Sequence, residues 1–391
     1  MAGQTTAYSP FAGEVMADPY PFYAALLEDD PVARVDDFYA VSRYADILTL
    51  LRDPATFTSR RGNTREDMPQ IADTTMITSD PPKHTELRAL VNRAFTPRLV
   101  ATMEHRIREV TDSLLDAAME RGALDVMGDL ANPLPVTIIA ELLGVDVERR
   151  ADFKRWSDDS IAALGSGAGK GHSERMGASV TEFNEYFTGV IEQRRSTPGD
   201  DLISAMIANA ETTPQPGELV TLLFLLLVAG HETTTNLIGN GTLALLEHPD
   251  QLDLLRAQPA MVASYVEEAL RYDSPVQGLY RTTTEAVTIA GTTIAGGTKV
   301  LALFAAANRD PRQFIDPDRF DVRRKPNLHV AFGSGVHFCL GASLARLEAR
   351  VAAERLLQRL HRPRLDPADP PERLLNPTIR GLRRLPLRFD A

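Results

Sequence analysis

Residues 332–341 read FGSGVHFCLG, and Cys339 in that stretch is the only cysteine in the chain. Glycines at 333, 335 and 341 flank it, and a helical pattern begins at Gly341 and runs to about Leu360. Such a loop can bring backbone N–H groups up to a sulfur, and the positive end of the following helix favours a thiolate over a thiol. A thiolate held in this way suits an iron ligand. Two other readings compete. An inert buried cysteine leaves the three glycines and His337 without a purpose. A catalytic nucleophile needs a general base, yet His337 is too close in sequence to swing easily onto the sulfur and no other histidine stands in a partner motif.

Working outward, the longest helical pattern runs from about Gly217 to His248 and predicts a helix roughly 48 Å long at ~1.5 Å per residue. Its first half, LLFLLLVA, is apolar on every face, which marks a helix buried in a large core. Ala229-Gly-His-Glu-Thr-Thr234 then breaks that surface with a glycine, an acid and hydroxyls. Glycine weakens a helix and Thr can bond back to its carbonyls and bend it, so the break predicts a groove. The competing reading is that the helix emerges into solvent at His231. On the next helical stretch, which ends at Tyr272, Glu268 and Arg271 stand one turn apart. There a carboxylate and a guanidinium can pair, although exposed pairs of this kind contribute little.

The remaining pattern predicts a helix from Asp18 to Asp30, a hairpin from Val32 to Ser42 and a helix from Tyr44 to Arg52. After an irregular stretch, helices extend from Lys83 to about Ala210, interrupted near Pro97, Pro133, Gly165 to Gly171 and Pro198 to Gly199. A β-rich region from Val287 to Leu303, a coil over 309–331 and terminal strand-like pieces complete the chain. With 391 residues, 43% of them hydrophobic and 24% charged, the composition is that of a folded globular protein. The net charge of −11 and the pI near 5.3 argue against a nucleic-acid partner. A single cysteine excludes an internal disulfide and fits a reducing cytoplasm. The N-terminus carries no signal-peptide pattern and the longest apolar run is about half of the ~20 residues a membrane span needs, so no anchor and a cytoplasmic location are expected.

Taken together, FGSGVHFCLG, AGHETT, the Glu-Glu-Ala-Leu-Arg run ending at Arg271, and Asn308-Arg-Asp-Pro followed by Pro317-Asp-Arg-Phe320 resemble the cytochrome P450 superfamily over essentially the whole chain, in its soluble bacterial form. The resemblance implies a mainly α fold with small β-sheets, in which a long central helix lies over a haem and a helix-rich lobe joins a smaller β-rich lobe. It implies one domain over 1–391, with β-rich parts near 31–42, 278–303 and 370–391 and a helical lobe near 83–272 and 341–360.

By the same resemblance, Cys339 is the axial ligand of a haem b, with Phe332 and Gly341 packing around it. His84, Arg88, Arg281 and His337 hold the propionates, a use that suits charge-assisted donors. Glu268, Arg271 and Arg319 form a structural ion-pair cluster. Glu232 and Thr233 carry protons toward dioxygen; many members have aspartate where this chain has Glu232. The expected activity is a haem-thiolate monooxygenase that hydroxylates or epoxidises an apolar small molecule. Its two electrons come from NAD(P)H through a reductase and a ferredoxin or flavodoxin. A peroxide-driven peroxygenase would leave the acid-alcohol pair idle, and a haem gas sensor would lack turnover. The expected pocket includes Leu226, Ala229, Val276, Leu279 and Ile379, together with Arg61 to Ile77, Leu164 to His172 and Thr378. A monomer is expected, with Arg88, Arg346 and Arg350 as a basic patch for an acidic redox partner.

Overall fold

A computed structural model describes residues 8–145, 147–164, 170–208 and 216–390. Two short helices, Gly13–Ala17 and Tyr20–Asp29, lead into the antiparallel strands Val32–Val35 and Phe38–Val41. The second is the helix expected from Asp18 to Asp30, starting at Tyr20, and the first precedes that range. Phe38–Val41 runs parallel to Lys299–Ala302, which pairs with Leu279–Thr283, which in turn pairs with the short strand Phe57–Thr58. The resulting five-stranded sheet takes its members from three distant parts of the chain. Its apolar residues, among them Phe38, Val41, Tyr280, Val300 and Leu301, form a core with Ile47, Leu50 and Phe304 from the flanking helices.

The helical part has a separate core. It is built around Pro216–Glu247, whose 32 residues reproduce the expected long helix. Leu222, Leu223, Leu227, Leu237, Ile238 and Leu243 on this helix are all buried. They pack among helices Pro133–Leu142, Arg150–Leu164, Lys170–Ser196, Val262–Tyr272 and Ala342–Arg359. By length and composition Gly217–Glu247 would also reach across a membrane, but more than half of its apolar window is covered by protein. Burial on several sides is what an all-round apolar surface requires in water.

The two lobes meet at the ends that matter for chemistry. The loop carrying Cys339 follows Val330 of the β-lobe core and feeds directly into Ala342–Arg359 of the helical core. A small three-stranded sheet joins Leu124–Asp125 and His361–Leu365 to the terminal strand Pro386–Asp390. Leu124–Asp125, with the π-helical turn Val126–Ala131 after it, lies where the sequence pattern predicts unbroken helix. A two-residue strand whose partner lies at the other end of the chain leaves no local periodicity to read.

Candidate active site

The Cys339 loop owes its shape to two of its glycines. Gly333 and Gly335 both adopt φ of +69°, a left-handed conformation that side chains resist, and a Cβ on Gly335 would collide with the Leu51 carbonyl. Gly341 differs: its φ is −80° and a Cβ there would meet nothing within 4 Å. It leaves space rather than relieving strain. The Cys339 N–H donates to the Phe332 carbonyl at 2.9 Å, which closes the loop. The Arg346 guanidinium lies 4.5 Å from the Phe332 ring centroid and stacks the loop onto the following helix.

Burial pushes the Cys339 thiol above its ordinary pKa, and this outweighs the Gly341 and Ala342 N–H groups and the charges of Arg88 and Arg346, which pull it down. The expectation that loop and helix alone make a thiolate is therefore corrected. Burial in the polypeptide alone favours the thiol, and a metal cation bonded to the sulfur would supply the stabilisation that a thiolate needs. The same shift counts against a nucleophilic cysteine, which needs a lowered pKa and a base.

On the long helix, Leu226, Ala229, Gly230 and Thr233 are partly or fully exposed while Leu227, His231, Thr234 and Thr235 are buried. Spacings of three and four place the first set on one helix face, and Phe224, Leu225, Val228 and Glu232 beside it are also only partly covered. A Cβ on Gly230 would meet nothing within 4 Å. His231 is fully buried, so the helix does not emerge into solvent there. The Thr233 hydroxyl donates to the Ala229 carbonyl at 2.8 Å, and Thr235 donates to Ala131 at 2.9 Å on the far side. Burial raises the Glu232 pKa even though Asn236 Nδ2 donates to its Oε1 at 3.3 Å. Burial thus favours the protonated carboxyl more than in water.

Four basic groups converge near the cysteine loop. The His84 and His337 rings are 4.4 Å apart between centroids, and Ser59 Oγ lies 3.1 Å from His337 Nε2. Arg88 Nη1 donates to the Val336 carbonyl at 3.0 Å. Arg281 is 4% exposed, and its hydrogen bond among the described residues goes to the neighbouring Tyr280 carbonyl at 2.8 Å. His84 Nε2 is buried without a hydrogen-bond partner. Among the described residues neither arginine has a carboxylate within ion-pair distance. Burial lowers Arg281 to about 10, and burial with the charges of Arg281, His84 and Arg88 lowers His337 to about 2. The buried guanidinium of Arg281 and the half-buried one of Arg88, without counter-ions and beside two histidines that burial keeps neutral, suit an anionic ligand.

The acidic end of the structural cluster is fully satisfied. Glu268 and Arg271 are both wholly buried and joined by two hydrogen bonds of 2.8 Å. Arg271 also donates to the carbonyls of Asn308, Pro317 and Arg319. Arg319 is a correction: its side chain is 57% exposed and only its carbonyl joins the cluster. The third charged member is Arg324, 10% exposed, whose Nε lies 3.1 Å from Glu268 Oε2, and Asn327 Nδ2 adds a bond of the same length. No spacing rule singles out Arg324 in the run Arg323-Arg324-Lys325.

The expected basic patch is also corrected. Arg346 donates twice to Glu267, at 2.7 and 2.9 Å, and Arg350 is paired with Glu104 and Glu354. Burial would raise Glu267, but the bonds from His329 and Arg346 bring it down to about 2. These arginines are neutralised within the protein. Of the expected pocket residues, Val276 and Ile379 are joined by an isolated β-bridge, and Leu279 follows on the adjacent strand, all three partly exposed. Arg61 to Ile77 contributes two short 3₁₀ turns, Pro69–Ile71 and Met76–Thr78. Residues 165–169 of the region around Leu164 to His172 lie outside the described residues.

The donor set fits a haem. A lone sulfur at a helix start, an uncovered helix face and a basic group without counter-ions match a metalloporphyrin's iron, face and carboxylates. The cytochrome P450 family profile matches residues 36–258 and 254–388. The chain is 42% identical to cytochrome P450 107B1 of Saccharopolyspora erythraea, over 94% of each chain. It is also 42% identical to the vitamin D(3) 25-hydroxylase of Pseudonocardia autotrophica, over 98% of this chain and 96% of that one. The crystal structure of CYP109E1 from Bacillus megaterium in complex with testosterone superposes with a TM-score of 0.89 at 35% identity, covering 97% of this chain and all of the other. The chain belongs to the cytochrome P450 family of haem-iron monooxygenases.

Proposed function

We propose that this protein inserts one atom of dioxygen into an apolar small molecule, as a hydroxylase or epoxidase, with two electrons passed from NAD(P)H through a reductase and a ferredoxin or flavodoxin. The observation that carries the reading is the uncovered face Leu226, Ala229, Gly230 and Thr233, with Glu232 beside it, midway along a helix whose other faces pack into the helical core. Haem b, when bound, supplies the activation of dioxygen. Cys339 would hold its iron, Phe332 and Gly341 would shape the space beside the sulfur, and His84, Arg88, Arg281 and His337 would hold its propionates. Glu268 and Arg271 serve structure rather than chemistry.

The chain's own part in the reaction is proton movement and exclusion of water. Glu232, with its raised pKa, holds a proton and releases it toward that face. Thr233 exchanges its intrahelical bond to Ala229 for a bond to the reacting oxygen and passes the proton on. Leu226, Ala229, Val276, Leu279 and Ile379 give the substrate apolar contacts. The vitamin D(3) and testosterone named for similar proteins support an apolar, rigid substrate class. The protein acts as a cytoplasmic monomer, its one domain spanning 1–391.

The test is turnover with a ferredoxin, its reductase and NAD(P)H under isotopically labelled O2. The substrates are drawn from a panel of steroids, terpenoids, fatty acids and macrolides by their shift of the haem Soret band. The reading predicts one labelled oxygen atom per product. Equal or faster turnover with hydrogen peroxide alone, without label from O2, would establish the peroxygenase reading instead.

A further inference from the structure

We propose that His231, Glu232 and Asp158 form a binding site for a divalent transition-metal ion such as zinc, and that its occupancy withdraws Glu232 from proton transfer. An imidazole nitrogen of His231 and one oxygen each of Glu232 and Asp158 lie within 4.8 Å of one another. Each of two packed helices supplies adjacent residues: Ser157 and Asp158 from Arg150–Leu164, His231 and Glu232 from Pro216–Glu247. The cluster therefore sits between rigid elements.

Supporting bonds orient all three groups. His231 Nδ1 lies 3.1 Å from Ser157 Oγ, while its Nε2 is buried and has no hydrogen-bond partner. In the tautomer whose Nδ1–H donates to the serine, the lone pair is on Nε2, the form in which imidazole binds metals; the Asn132 backbone also lies within reach of the ring. Asn236 holds one Glu232 oxygen and Lys154 holds one Asp158 oxygen, so each carboxylate keeps a second oxygen to offer. Once Glu232 gives up its proton, its carboxylate and that of Asp158 outnumber the one lysine beside them, and a dication offsets the excess. One nitrogen and two oxygens suit zinc, which binds them at ~2.0–2.2 Å. Ligand atoms around such an ion are roughly 3.5 Å apart by tetrahedral geometry, so a modest side-chain contraction closes the site. The Asp158 side chain is 45% exposed and gives the ion a way in.

The inhibitory consequence rests on Glu232 being the proton-carrying acid; metal binding itself does not. The experiment uses untagged, haem-loaded protein freed of metals with a chelator. A His105→Ala background removes the exposed pair His105–Glu109, one turn apart, which would bind zinc independently. Equilibrium dialysis with zinc should give one equivalent, weakened at least about tenfold in both His231→Gln and Asp158→Ala. Asp158→Ala, altered at a half-exposed position, keeps the test open if His231→Gln does not fold. Zinc should also lower product formed per NAD(P)H while leaving the substrate-induced Soret shift unchanged. One equivalent bound equally well by Asp158→Ala would overturn the site. Residue-dependent binding with unchanged coupling would keep the site and overturn the role of Glu232.

Discussion

Thr233 and Thr234 are neighbours of the same chemistry, yet only one lies on the uncovered face. Successive helical residues are turned by about 100°, which puts Thr233 with Ala229 and Gly230 and leaves Thr234 4% exposed on the packed side. Thr233→Ala is therefore expected to fold and bind haem normally and to consume NAD(P)H with a reductase, while diverting most of the flux to hydrogen peroxide. Thr234→Ala should be milder. The ratio of product formed to NAD(P)H consumed checks both, and equal coupling in Thr233→Ala and wild type would remove Thr233 from the relay. This contrast was legible in the sequence because helical periodicity fixes which threonine follows Ala229 by one turn. Asp158 was not legible beside Glu232. It lies on another helix, and only the packing of the two brings their carboxylates together.

At the scale of elements, helix Val262–Tyr272 is tied to the coil after it by one ion-pair cluster. Motif spacing identified Glu268 and Arg271 because both stand on one helix, but named Arg319 from the coil. In a coil no periodicity says which way a side chain points. There Arg319 turns outward and Arg324 reaches Glu268 and the Ile315, Asp316 and Arg319 carbonyls. Removing the Glu268 carboxylate leaves two buried guanidinium groups uncompensated, at a cost of about 3–5 kcal/mol. Arg319→Ala should stay within about 0.5 kcal/mol of wild type, as ordinary exposed positions do. Denaturant unfolding of haem-loaded protein measures both, alongside haem retention. A Glu268→Ala protein of wild-type stability, or an Arg319→Ala protein as damaged as it, would contradict the cluster as described. The sheet shows the same limit: the hairpin at Val32 to Ser42 is local and readable, whereas Phe57–Thr58 and Leu124–Asp125 exist only through distant partners.

Across the whole molecule, a net charge of −11 makes any basic patch that receives an electron donor a local exception. Sequence shows which arginines lie near the cysteine loop. It does not show that Glu267, Glu104 and Glu354 sit against them. What sequence did expose is the meeting of two lobes at one sulfur. The Cys339 loop leaves the β-lobe core at Val330 and enters the helical core at Ala342, with the charges of Arg88 and Arg346 beside the sulfur. The proposed oxygen chemistry depends on that sulfur holding iron. The direct measurement is the absorption of the dithionite-reduced protein under carbon monoxide, for wild type and Cys339→Ala. Thiolate ligation predicts a Soret band at the long-wavelength position in wild type and its complete loss in the variant, including in any haem the variant retains. A long-wavelength band that survives in Cys339→Ala would contradict the account.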